Sequence, residues 1–60
     1  MSPLLADLRS QQATAQRRLG ELTTLYGSAH PDVLKVRAEL AQLDGSIARE
    51  SGRVGAQLAH

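Results

Sequence analysis

Sixty residues with no Phe, no Trp and one Tyr lack the aromatic side chains that supply much of the burial in an enzyme core. Seven Lys and Arg stand against six Asp and Glu, a formal charge of +1, and the basic residues are scattered without aromatic partners, which argues against a nucleic-acid partner. The absence of Cys excludes disulfides and thiolate zinc sites and removes any redox clue to compartment, while the longest apolar run, Leu4-Leu5-Ala6, is far too short to span a bilayer.

The first periodic segment is predicted to be a helix from about Pro3 to Tyr26. Leu5, Leu8, Gln12, Ala15, Leu19, Leu22 and Tyr26 recur at alternating spacings of three and four. That is an a/d seam with a single polar break at Gln12. Tyr26, at the last seam position, is expected to plug the packed end. Gly27 follows as the stop signal, expected in the left-handed helical conformation that glycine takes past a helix end without a Cβ penalty.

A turn over Gly27 to His30 is expected next. Pro31 suits the first position of a new helix, where its fixed φ fits and its missing N–H has no intrahelical partner. Asp32 adds a carboxylate at the positive end of the helix dipole. Ser28 or His30 is left to serve as the cap, and His30 reads as a cap in preference to a metal ligand or a proton-sensitive group. So short a connection between two periodic segments favours antiparallel neighbours.

The second helix is predicted from Pro31 to about Ala59. Its seam is Val33, Val36, Leu40, Leu43, Ile47 and Val54, interrupted by Glu50 and Gln57, with Leu58 beside it and His60 beyond its end. Two helices with narrow apolar stripes define the fold class: all-α, an antiparallel helical hairpin of coiled-coil type. One seam buries too little for sixty residues, so the hairpin is expected to associate into a helical bundle, as a dimer or higher oligomer.

Two registers compete. One places Gln12 in the layer of Glu50, so that the two polar interruptions meet. The other sets Arg9 near Asp44 and Arg18 near Glu39. A buried, unpaired carboxylate costs more than an exposed ion pair gains, which favours the first. A second row, Ala38, Ala41, Gly45, Ala48, Gly52 and Gly55, follows three/four spacing on the opposite side of the second helix. It is a possible helix–helix contact, because small residues let backbones approach; an exposed alanine-rich face is the alternative. Arg17-Arg18 and Arg49 with Arg53 read as solvated faces.

No constellation of nucleophile, base or phosphate-binding loop occurs. No catalytic, cofactor-binding or metal-binding residue is assigned, and the chain is not expected to be an enzyme.

Leu25-Tyr26-Gly27, His30-Pro31-Asp32-Val33 and Val36-Arg37-Ala38-Glu39-Leu40 together resemble a segment of the polysaccharide co-polymerases, the chain-length determinant and exopolysaccharide transport proteins of bacterial inner membranes. The likeness covers about Leu19 to Ile47. It implies a parent with two transmembrane helices flanking a periplasmic part whose long helices assemble into rings, so that the partners here are neighbouring protomers. Met1-Ser2 then reads as an added start, and the chain as an excised periplasmic piece that does not itself span a membrane. Two other readings are a hairpin from a periplasmic adaptor of an efflux or secretion system, which docks through its turn, and an unrelated dimerisation module.

Overall fold

In the computed structural model, which describes the backbone of residues 2–58 and the side-chain surroundings of residues 2–56, the chain is two helices folded back on each other. Helix α1 runs Pro3–Tyr26 and helix α2 runs Pro31–Leu58. They pack along their length as an antiparallel hairpin. The expected structure at Ala59 and His60, and the expected seam roles of the Gln57 and Leu58 side chains, lie outside the described residues.

Helix α1 starts at a built cap. Ser2, read from sequence as an added residue, is extended (φ −97°, ψ 114°), and its hydroxyl accepts a hydrogen bond from the Leu5 N–H at 3.1 Å. Pro3 follows at the position that needs no N–H. At the other end the Gly27 N–H donates to the Thr23 carbonyl at 2.9 Å. Gly27 then turns the chain with φ 81° and ψ 167°. That is not the left-handed helical conformation expected from sequence; it is the mirror-extended region that essentially only glycine adopts.

The cap of α2 is His30. Its Nδ1 accepts from the Asp32 N–H at 3.1 Å, and its carbonyl accepts the first helical bond, from the Leu34 N–H at 3.1 Å. The ring also stacks on Tyr26, with centroids 4.5 Å apart and an interplanar angle of 24°.

Along the seam, Ala15, Val33 and Val36 are buried, the two valines almost completely (0% and 1% exposed). Leu5, Leu8, Leu19, Leu22, Leu40, Leu43, Ile47 and Val54 are half-buried. Each of these faces the partner helix and still presents an edge to solvent, as expected when only two helices share a core. Tyr26 departs from the expected packing: it is 54% exposed. Helix α2 begins only at Pro31, so no residue of α2 lies beyond the turn to cover the ring, and His30 becomes its partner.

The register is the one that sequence reasoning ranked second. Gln12 donates from its side-chain amide to Asp44 at 2.7 Å, and Arg18 lies 4.0 Å from Glu39. The preferred pairing of Gln12 with Glu50 is not formed. The turn is the cause: Gln12 lies fourteen residues before the end of α1, Asp44 thirteen and Glu50 nineteen after the start of α2. With a rise of about 1.5 Å per residue, moving Glu50 six residues into the place of Asp44 would need a slip of about 9 Å, which a four-residue connection does not allow. Asp44 pairs with Gln12 and not with Arg9.

Candidate functional site

Glu50 is the one buried charged residue among those described, 5% exposed, and needs partners other than Gln12. Arg53, one turn on, supplies them. Its Nε donates to Oε1 at 2.7 Å and its terminal nitrogen to Oε2 at 2.8 Å, a two-pronged grip on the carboxylate. Arg53 is largely exposed, as a solvated face predicts, and its guanidinium also holds this pair. The Ser2 hydroxyl adds a longer contact, donating to Oε2 at 3.4 Å. Glu50 thereby stands at the N-terminus of α1, which has no acidic residue in its own first turn. A carboxylate from α2 takes the place favoured by the α1 dipole and ties the open end of the hairpin together.

Between the helices on one side runs a shallow groove. From α1 it is lined by Leu4, Leu8, Gln11, Ala15 and Arg18, and from α2 by Glu39, Leu43, Ser46, Glu50 and Arg53. The spacing is that of one flank of each helix, adjacent to the seam. Its floor is the half-buried edge of Leu8 and Leu43, and its walls carry both signs of charge. Gln12 and Asp44 lie on the other flank.

The row Ala38, Ala41, Ala48, Gly52 and Gly55 is exposed, and Gly45 is half-buried. A Cβ built on Gly52 or Gly55 would meet nothing within 4 Å, and one on Gly45 would meet only the Arg49 guanidinium, at 3.3 Å. Within the hairpin no second backbone approaches this row. Leu34, also exposed, extends it towards the turn, and sequence reasoning did not include it. The other large apolar side chains that are exposed among the described residues, Leu4, Leu25 and Tyr26, lie at the two ends of α1.

Among the described residues no three His, Asp or Glu side chains gather to hold a metal ion, and no helix is long and apolar enough to cross a membrane. The surface offers shape, apolar edges and paired charges.

No protein-family model matches the sequence, and neither a curated protein nor a solved structure matches the chain.

Proposed function

We propose that this chain is a non-catalytic structural and oligomerisation segment, a coiled-coil hairpin from the periplasmic part of a bacterial inner-membrane protein that controls surface polysaccharide chain length or export. The observation that carries the self-associating role is exposure. A compact monomer of 6.4 kDa is expected to present about 3,800 Å² to solvent, whereas the hairpin presents 4431 Å². The difference, about 600 Å², approaches the share that one partner contributes to a small protein interface. Support for the polysaccharide reading is the resemblance at the turn. Tyr26, Gly27, His30, Pro31 and Val33, which carry it, are also the residues that end α1, cap α2 and bury its first seam position.

Sedimentation equilibrium over a hundredfold concentration range tests the self-association. The expected result is a reversible dimer or higher oligomer. A well-folded monomer at every concentration would remove the oligomerisation role.

A second reading, the hairpin of a periplasmic efflux or secretion adaptor, draws on the tip. Leu25 is 71% exposed there beside Tyr26, as suits a turn that docks onto a channel. The sequence flanking this segment in its parent separates the two readings. Transmembrane segments on both sides favour the co-polymerase, and biotinyl-lipoyl-like β segments favour the adaptor.

A further inference from the structure

The groove beside the seam has a charge order that reads the same in both directions once a second copy is laid on it. Taking the self-association proposed above as its starting point, we infer that two hairpins pair groove to groove, tip against open end, about a twofold axis passing beside Ser46. On the groove flank of α2, Glu39 lies seven residues before Ser46 and Arg53 seven residues after it. Seven residues is two turns in a coiled coil, so all three share one flank. A twofold axis at Ser46 sets Glu39 of each copy opposite Arg53 of the other, two ion pairs from one operation. The same axis sets Leu43, three residues before Ser46, opposite Arg49, three after it, and an arginine stem covers a leucine edge well.

Glu39 and Arg53 are placed to make these contacts, and Arg49 reaches Leu43 of the other copy by leaving the Ser46 hydroxyl, to which it donates at 3.2 Å. Glu39 has only the 4.0 Å approach of Arg18. Arg53 uses two of its nitrogens on Glu50 and remains largely exposed. Ser46 is small and half-buried, which lets two helices cross closely there. Helix α1 follows suit: at the level of Ser46 it presents Gln11, with Leu4 and Arg18 each seven residues away, so exposed Leu4 meets the aliphatic part of Arg18 from the other copy.

Electrostatics selects this direction over the tip-to-tip alternative. On the groove flank of α2, Glu39 lies in the tip half and Arg53 in the open half. Tip-to-tip pairing would bring like ends together, whereas tip-to-open-end pairing joins opposite ones.

The chain has no cysteine, so one introduced thiol reports the axis. Ser46→Cys should form an intermolecular disulfide nearly quantitatively under mild oxidation, since bridging needs Cα atoms closer than about 7 Å. Ala48→Cys, on the small-residue row across the helix, should cross-link at least tenfold more slowly. Glu39→Lys, which places like charges together, should raise the dissociation constant about tenfold or more while leaving the circular dichroism spectrum unchanged. Preferential cross-linking of Ala48→Cys, or of a mixture of Gln11→Cys and Ser46→Cys chains over Ser46→Cys alone, would overturn this arrangement and leave self-association standing. A monomeric unmodified chain at all concentrations would remove both.

Discussion

Val36→Asp should leave the chain largely unfolded, with most of the helical circular dichroism signal at 25 °C lost. Val36 is 1% exposed and, with Val33, forms the only fully enclosed part of the seam among the described residues. An ionised carboxylate there would be forced to take up a proton, and even the neutral acid would bury polar groups without partners, at a cost of about 2 to 7 kcal/mol. Glu50 shows what a buried carboxylate needs here: a two-pronged arginine, a serine hydroxyl and a helix N-terminus. None of these is within reach of position 36, one turn into α2. Most of the stability of a module this small would be spent, because domains hold only about 0.05 to 0.15 kcal/mol per residue. A Val36→Asp chain that melts like the parent would place the core elsewhere.

The second large effect belongs to Gly27. Gly27→Val should destabilise the hairpin by about 1 to 3 kcal/mol, all of it from backbone conformation. No heavy atom lies within 4 Å of where a Cβ would stand, so crowding contributes nothing. What the valine meets is φ 81°, which a β-branched L-residue resists. A D-alanine at the same position separates the causes, since positive φ with extended ψ is ordinary for that enantiomer. Thermal melting should show the valine chain well below the parent and the D-alanine chain equal to it or higher. Equal melting of the valine chain and the parent would mean that the turn tolerates another conformation.

How much of this was legible in the sequence follows from the physics of each feature. The helix limits at Tyr26 and Pro31 were readable because they depend on local chemistry: a glycine that ends one pattern and a proline that opens the next. The buried seam positions Ala15, Val33 and Val36 follow from their spacing in the same way. Register departs from the expectation because the length of the connection, which burial of Glu50 does not reflect, sets which residues of the two helices face each other. Counting residues from Tyr26 and from Pro31 would have placed Asp44, not Glu50, opposite Gln12. One partner of Glu50 is within sight in the sequence: Arg53 lies three residues on, and an arginine that is solvated, as expected, still reaches back to the carboxylate.

Tyr26 illustrates a different limit. Its place in the three/four pattern is the same as that of Leu19 or Leu22, yet a seam position is buried only if the opposite helix extends past it. The groove was hidden for a related reason, since its walls come from two helices and their pairing depends on the register. The charge symmetry of Glu39, Ser46 and Arg53 is present in the sequence, but it acquires meaning only once those residues line one surface.

Everything above depends on the two helices lying side by side within one chain. Pulsed electron paramagnetic resonance between nitroxides at Gln16 and Ala41 measures this most directly. Both positions are exposed, and they lie ten residues before Tyr26 and ten after Pro31, so they share one level of the hairpin. Diluting the labelled chain with an excess of unlabelled chain restricts the reading to distances within a molecule. The closed hairpin predicts backbones about 10 Å apart at this level, with only the label arms added. A peak corresponding to a separation of about 37 Å, the length of twenty-five residues of continuous helix, would contradict the hairpin and the groove built on it.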